Sequence, residues 1–156
     1  MLHRPKPPVC VLREARWTPL LSRRLPGIPP QRHAWLRDPG SLTRSIQQTC
    51  GAGRFGVDLV SQRHGPALPS EARLLDAGPA PAMLVREVRL NCGHKTWVFA
   101  RTLMPMSGLD GGLAALTRLG RRPLGEVLFS DPTTRRRRIE VACLGPRHHL
   151  LASATA

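Results

Sequence analysis

An arginine in the middle of an apolar strand face is the first feature of this sequence that could bind a ligand. Residues 83–90 read MLVREVRL and alternate with the two-residue period that is typical of a β-strand. The face that carries Arg86 is the more apolar one and is therefore predicted to point into the core. Its other members are Leu84, Val88 and Leu90. A buried guanidinium is costly without a partner, so we expect Arg86 to meet a ligand or an acidic neighbour, unless this face is exposed.

Cysteine and histidine side chains offer a second kind of chemistry, metal binding. The four cysteines are far apart and form no CxxC pair; they are Cys10, Cys50, Cys92 and Cys143. This spacing in a cytoplasmic chain predicts four reduced thiols. A zinc site is an alternative, but it must combine distant residues, namely Cys92, His94, Cys143 and His148. We therefore expect no metal site.

The strong positive charge is a property that this chain shares with nucleic-acid-binding proteins. Lys and Arg number 24 against 10 Asp and Glu, which gives a net charge of +14. Nearly all of the basic residues are arginines, and with no Tyr and many Pro and Gly this composition indicates a GC-rich coding sequence. The charges are spread along the chain except at residues 135–138, and few aromatic residues are present for base stacking. We expect no specific nucleic-acid partner, only a weak attraction for small anions.

The length and the hydropathy pattern indicate one folded domain. The 156 residues, of which 41% are hydrophobic, are sufficient for a core. No run of eighteen apolar residues occurs, and the N-terminal stretch MLHRPKPPVCVLREARW lacks the apolar segment of a secretory leader. Residues 1–12 are rich in Pro and Arg and are predicted to be loose, so the domain is expected to span residues 13–156. We expect a cytoplasmic monomer with no membrane span.

Alternating segments and helix signals predict the elements that position Arg86. Two adjacent strands are joined by a short turn in which Gly93 supplies the left-handed position. The predicted strands are residues 54–63, 83–90, 96–104 and 135–144. Ser41 is a good N-cap for a helix over residues 42–50. The other predicted helices are residues 31–38, 113–120 and 123–129, the last of which Pro123 opens.

Antiparallel strands with helices segregated from them indicate an α+β fold. The two short helices over residues 113–120 and 123–129 are predicted to cover a face of the sheet. A DNA-reading helix–turn–helix is an alternative, but both helices are short and the second is mostly apolar. The pattern therefore predicts an α+β fold in which short helices cover antiparallel strands.

An ordered series of segments resembles bacterial chorismate pyruvate-lyase, the family that makes 4-hydroxybenzoate for ubiquinone. Each segment is loosely definable alone, but their order and spacing are specific and cover residues 13–149. The segments are WLRDPGSLT at 35–43, LPSEARLL at 68–75, LVREVRL at 84–90, TWVFARTLMP at 96–105, LTRLGRRPLGEVLF at 116–129 and RIEVACL at 138–144. The resemblance implies a single antiparallel β-sheet with helices packed on one side, the chorismate lyase-like fold. It also implies a ligand that is buried beneath two helix–turn–helix flaps.

The resemblance also implies a reaction and a set of site residues. Chorismate would be cleaved to 4-hydroxybenzoate and pyruvate without a cofactor. Arg86 matches the family's inward-pointing arginine, which holds the aromatic carboxylate and would be the catalytic residue as well as a substrate-binding one. Leu124 matches a residue whose backbone helps to hold that carboxylate, and Leu42 matches an apolar residue against the bound ring, although core packing would explain Leu42 equally well. Arg101 matches a family arginine too, but we interpret it as a structural charge.

One departure from the family pattern concerns the C-terminal part of the sequence. The family continues through a final pair of strands, one of which carries a glutamate that reaches the ring hydroxyl. The last acidic residue here is Glu140, which aligns with an earlier family position. The domain is therefore expected to be short at its C-terminus. Three explanations remain open: the coding sequence is cut short, the chain is a divergent member that works without the glutamate, or it is a non-catalytic relative that binds small carboxylates. A cut chain would leave an uncovered sheet edge and be marginally stable.

Overall fold

The helices and strands follow one another through residues 15–76, 82–109 and 111–155, which a computed structural model of the chain describes. The strands are β1 (Thr18–Pro19), β2 (Phe55–Gly65), β3 (Met83–Cys92), β4 (Lys95–Pro105) and β5 (Glu140–Val141). The α-helices are α1 (His33–Arg37), α2 (Leu42–Cys50), α3 (Pro69–Leu74), α4 (Leu124–Ser130) and α5 (His149–Thr155). Short 3-10 helices span Pro30–Arg32, Met106–Gly108 and Gly111–Arg118. The loose segment predicted for residues 1–12 lies outside the described residues.

The main sheet is antiparallel, with strand order β2-β3-β4. The predicted hairpin is confirmed: Cys92 pairs with Lys95, and Gly93 takes a φ of 58°, a value that glycine adopts without strain. A second, two-stranded sheet joins β1 to β5, so the strand predicted over residues 135–144 is reduced to two residues and lies apart from the main sheet. The α+β class is confirmed, and its antiparallel strands form two sheets rather than one.

The even-numbered face of β3 is the inner face of the main sheet. Two hydrophobic clusters pack on this face. The first contains Leu84, Met104, Leu109, Leu116 and Leu119. The second contains Ile46, Val57, Val88 and Leu90. Because Arg86 lies between Leu84 and Val88 on the same face of the strand, it sits at the boundary between the two clusters.

A β-bulge in β2 determines which residue stands opposite Arg86. The pairing with β3 shifts by one residue between Leu59 and Ser61. Before the shift Leu59 pairs with Val88, and after it Gln62 pairs with Arg86. Since side chains alternate between faces, an unbulged β2 would have placed Ser61 opposite Arg86 instead. The bulge thus moves Gln62 onto the inner face.

Helix α2 begins and ends as the sequence predicts and packs against the second cluster. Ser41 Oγ accepts a hydrogen bond from the backbone N–H of Arg44 at 3.4 Å, and Gly51 ends the helix with a φ of 85°. Ile46 is 1% exposed, which makes it the point where α2 is anchored to the sheet. Helix α4 approaches α2 at Gly125, where an added Cβ would lie 3.1 Å from Thr43 Oγ1. A side chain at position 125 would therefore require the Thr43 side chain to shift by a few tenths of an ångström.

The prediction of four reduced thiols is wrong for two of them. Cys50 and Cys92 form a disulfide across 42 residues, which links the last residue of α2 to the last residue of β3. Cys143 is a free, exposed thiol, and Cys10 lies outside the described residues. Spacing along the chain could not reveal the pair, because it is the packing of α2 across the sheet that brings the two cysteines together.

The C-terminal residues and the segment before α4 also differ from expectation. The sequence predicted no strand pair after Gly145, and this part of the chain contains helix α5. Arg89 on β3 contacts this helix, since its Nη2 donates to Ser153 O at 3.3 Å. The helix predicted over residues 113–120 is the 3-10 helix Gly111–Arg118. A DNA-reading helix–turn–helix consists of two α-helices, and here the first of the two is a 3-10 helix and the second, α4, has only seven residues, so this observation argues against the DNA-binding alternative. No helix within the described ranges is long and apolar enough to cross a membrane.

Candidate ligand-binding site

Arg86 is the largest fully buried side chain among the described residues. It is 1% exposed, in agreement with the predicted inner face of β3. Its neighbours along that face, Leu84 and Val88, are buried as well. The strand therefore carries a cationic group into an apolar layer, where any anion that reached it would be removed from water.

Neutral oxygens hold the guanidinium. Nη1 donates to Gln62 Oε1 at 3.2 Å, and Nη2 donates to Gly120 O at 2.8 Å and Arg122 O at 3.2 Å. The two carbonyls belong to the short segment between the 3-10 helix Gly111–Arg118 and α4. Arg86 thus ties the sheet to the segment that covers it. A guanidinium has five N–H donors, so at least two remain for another acceptor.

None of the ion pairs formed by the described residues includes Arg86. These pairs join Arg73 to Glu140, Arg101 to Glu71 and to Glu87, and Arg121 to Asp58. Burial lowers the pKa of Arg86 from its ordinary value, and no carboxylate acts in the opposite direction. An arginine still holds its proton at neutral pH under these conditions. The site is therefore a buried positive charge whose protein partners are neutral.

Leu124 follows directly on the segment that binds Arg86. It is the first residue of α4, and its side chain packs against the cluster that contains Leu84. The first backbone N–H groups of a helix have no partner within the helix and attract anions. The structure thus brings Leu124 to the covering side of the Arg86 face.

Leu42 lies at the start of the helix opposite α4. It is 43% exposed, so the core-packing explanation for this residue is not supported. Beside it, residues of α2 and α4 line an open cleft of about 220 Å³. The residues that line this cleft include Ser41, Thr43, Arg44, Gln47, Gly125 and Glu126. Leu42 and Leu124 are the first residues of these two helices, but neither is among the residues that line the cleft.

Arg101 occupies the opposite, outer face of the sheet, as its interpretation as a structural charge requires. Its Nε lies 2.9 Å from Glu71 Oε1, and its Nη1 lies 3.0 Å from Glu87 Oε1. Burial alone would raise the pKa of Glu87. Hydrogen bonds from Ser61 and Arg101 and the nearby positive charges outweigh that effect and hold the pKa below its ordinary value. The positive charge of Arg101 is thus neutralised by ion pairs with two protein carboxylates.

The zinc site that the sequence left open is incompatible with the structure. Cys92 would have to supply a thiolate, but its sulfur is bonded to Cys50. Across residues 15–76, 82–109 and 111–155, no group of three or more His, Cys, Asp or Glu side chains could hold a metal ion.

Reasoning from the sequence missed the residues that hold Arg86. Gln62 was placed on a strand, but without the bulge its face could not be known. The two carbonyls, of Gly120 and Arg122, have no signature in side-chain type. The one signal that could have pointed to a bulge is a break in the alternation of β2, where Leu59 and Val60 are followed by four polar residues.

Comparison with known proteins gives one consistent family. The family model described as chorismate lyase matches residues 11–153. A protein named "Probable chorismate pyruvate-lyase" from Azoarcus sp. (strain BH72) is 41% identical over 126 residues, which cover 78% of this chain and 66% of that protein. Proteins of the same name from Aromatoleum aromaticum and Methylococcus capsulatus are 37% and 39% identical, over 84% and 74% of this chain. The alignments cover 71% and 70% of those two proteins, so the chain spans about two thirds of the length of these relatives.

Proposed function

The chain belongs to the chorismate lyase family, and from that premise we propose that it cleaves chorismate to 4-hydroxybenzoate and pyruvate. This reaction is the first committed step of ubiquinone biosynthesis. The observation that supports the proposal is the burial of Arg86 without a carboxylate partner among the described residues. Such a cation matches a substrate that carries two carboxylates.

Arg86 is the proposed anchor for the ring carboxylate. A carboxylate can accept parallel hydrogen bonds from a guanidinium, and such charge-assisted bonds are about twice as strong as neutral ones. The backbone N–H of Leu124 would add a donor from the start of α4, and the side chain of Leu42 would lie against the ring. These three residues would fix the ring with its ether bond in one orientation.

The reaction is an elimination that needs no external oxidant or reductant. The bond between the ring and the ether oxygen breaks, and the departing enolpyruvate takes its electron pair. The ring loses a proton and becomes aromatic, while the enolpyruvate takes up a proton and becomes pyruvate. Since aromatisation provides much of the driving force, the contribution proposed for the protein is orientation and electrostatic stabilisation of the departing group.

We also propose that the protein acts in the cytoplasm as a monomer. The disulfide between Cys50 and Cys92 bears on that location, because thioredoxin and glutathione keep most cytosolic thiols reduced. Alkylation of the thiols in freshly lysed cells, followed by mass spectrometry, would show whether the pair is oxidised there. Size-exclusion chromatography with light scattering would test the monomer.

Product formation tests the proposed reaction directly. Purified protein would be incubated with chorismate, and both products followed by chromatography, with the variants Arg86→Ala and Arg89→Ala in parallel. Arg89 is a matched control because it lies on the same strand but on the outer face. We expect equimolar 4-hydroxybenzoate and pyruvate from the wild type and from Arg89→Ala, and little from Arg86→Ala.

The same experiment separates the enzyme from a binding domain. Folded wild type that forms no product above the spontaneous rate, yet melts at a higher temperature with 4-hydroxybenzoate, would be a small-carboxylate-binding relative instead of a lyase. Equal product from Arg86→Ala and the wild type would contradict the role of Arg86.

A further inference from the structure

We propose that Gln62 is a positioning residue that holds the Arg86 guanidinium in its ligand-binding orientation. This inference rests on the proposed function, since it concerns how the anchor for the substrate carboxylate is oriented. Gln62 pairs with Arg86 across β2 and β3, and its amide oxygen accepts from Nη1 at 3.2 Å. Gln62 is the one side chain among the described residues that bonds to the guanidinium, since the other two acceptors are backbone carbonyls.

The bulge in β2 is the local feature that makes this contact. With an unshifted register Ser61 would face Arg86. The hydroxyl oxygen of a serine lies two bonds closer to the backbone than the amide oxygen of a glutamine, so it reaches less far. The extra residue instead turns Ser61 to the outer face, where its Oγ donates to Glu87 Oε2 at 2.8 Å. Bulges that re-aim a side chain are common beside active sites. Here the bulge places Ser61 beside Glu87 on the outer face and Gln62 beside Arg86 on the inner face. Arg86 thereby gains an acceptor on a long, neutral side chain.

A second hydrogen bond fixes the orientation of the Gln62 amide. Its Nε2 donates to Thr117 O at 2.6 Å. A carbonyl can only accept and a guanidinium can only donate, so only one of the two amide orientations satisfies both partners. The oxygen of Gln62 is therefore held toward Arg86 by a carbonyl of the 3-10 helix Gly111–Arg118. Together, Arg86 and Gln62 bind three carbonyls of this helix and of the segment that follows it, those of Thr117, Gly120 and Arg122.

The neutrality of Gln62 matters as much as its position. An acidic residue at position 62 would compensate the charge of Arg86 and compete with a substrate carboxylate. An apolar residue would leave Nη1 without this acceptor and let the guanidinium rotate about its last bonds. The amide orients the cation and leaves its charge uncompensated, which is the condition that an anion-binding site needs.

The first test measures whether Gln62 acts through Arg86. The dissociation constant of 4-hydroxybenzoate would be determined by calorimetry for the wild type, Gln62→Leu, Arg86→Lys and the double variant. We expect Gln62→Leu to weaken binding about tenfold in the wild type, and less than about threefold when Arg86 is already lysine. An equal effect in both backgrounds, or no effect in the wild type, would overturn the proposal.

A control variant separates positioning from a general loss of stability. Ser61→Ala removes a side-chain hydrogen bond from the neighbouring residue on the outer face, so it should lower the melting temperature and leave the dissociation constant unchanged. If Gln62→Leu does not fold, Gln62→Met offers a side chain of similar length without the amide. Weaker binding in Ser61→Ala that matched the loss in Gln62→Leu would make the effect structural and reject the positioning role.

A ligand-free measurement distinguishes this inference from the proposed function. Hydrogen exchange of the Arg86 guanidinium can be followed by ¹⁵N NMR without any substrate. We expect slow exchange in the wild type and in Ser61→Ala, and at least several-fold faster exchange in Gln62→Leu. If exchange accelerates while no product forms from chorismate, the lyase proposal fails and the restraint of Arg86 by Gln62 stands. Unchanged exchange in Gln62→Leu would reject the restraint even if the enzyme is active.

Discussion

Two arginines on neighbouring strands of the same sheet are held in opposite ways. Arg101 on β4 faces outward and binds the carboxylates of Glu71 and Glu87. Arg86 on β3 faces inward, is buried more deeply, and binds an amide oxygen and two backbone carbonyls. Protein carboxylates compensate the charge of the outer arginine, whereas no carboxylate of the described residues pairs with the inner one. This difference supports a structural role for Arg101 and is the basis of the binding role proposed for Arg86.

The energetic reason for the difference is desolvation. A buried charge without an opposite charge lowers stability, and a protein that only needed to fold would replace it by an apolar residue. The cost is compatible with function when a ligand anion completes the site. The comparison therefore predicts that changes at Arg86 affect binding and turnover, whereas changes at Arg101 affect stability.

The largest expected effect is on the turnover of an Arg86→Met variant. Methionine fills a similar volume without the charge, so we expect kcat/KM for chorismate to fall about 10³-fold, which corresponds to about 4 kcal/mol. The free energy of unfolding should change by less than about 2 kcal/mol, because relief from the buried charge offsets the acceptors left unpaired. Steady-state kinetics and urea unfolding measure the two quantities. A large loss of stability with normal turnover would reverse the assignment of the two arginines.

The next largest effect is expected on the free energy of unfolding when the disulfide on the inner side of the sheet is lost. The disulfide between Cys50 and Cys92 fixes α2 to the end of β3. Its loss through Cys50→Ser, or by a reductant, should lower the free energy of unfolding by about 2–4 kcal/mol. Cys143→Ser is the matched control, because that thiol is free and exposed. Denaturation with and without dithiothreitol measures the difference. Equal unfolding midpoints for the Cys50→Ser variant and the control would contradict a disulfide between Cys50 and Cys92.

Removal of the outer charge should have a somewhat smaller effect. Arg101→Met leaves Glu71 and Glu87 without their shared cation, and we expect a loss of about 2–3 kcal/mol in unfolding free energy. The value is below that of a fully buried pair because the three side chains are partly exposed. The kcat/KM of the folded variant should stay within about threefold of the wild type. A thousandfold loss of kcat/KM there would show that Arg101 takes part in binding.

The sequence could predict the elements whose signals are local. Ser41 as a cap, Gly93 in the hairpin and the alternation around Arg86 are each determined within a few residues, and the structure confirms all three. Family resemblance added the roles proposed for Leu42 and Leu124, which the burial and pairing of these residues do not test.

The remainder depends on contacts between distant parts of the chain. The disulfide joins Cys50 to Cys92 only after α2 has packed on the sheet. Likewise, the choice between Ser61 and Gln62 as the partner of Arg86 depends on one bulge, and two of the three acceptors of the guanidinium are backbone atoms. Side-chain type along a sequence carries little information on such features, so the burial of Arg86 on the inner face was predictable and the groups that bond to its guanidinium were not.

The smallest expected effect is the difference in acid sensitivity between the two faces. The pKa of Glu87 is lowered in the folded protein from its ordinary value of about 4.5, so its contribution to stability is present above that value and is lost as the pH falls through the folded pKa. Glu87→Gln should therefore lose less stability than the wild type when the pH is lowered from about 5 to 3. Arg86→Met should follow the wild-type curve, because no carboxylate among the described residues pairs with Arg86. Melting temperatures measured across this range would test both statements, and a flatter curve for Arg86→Met would reveal an acidic partner for the inner arginine.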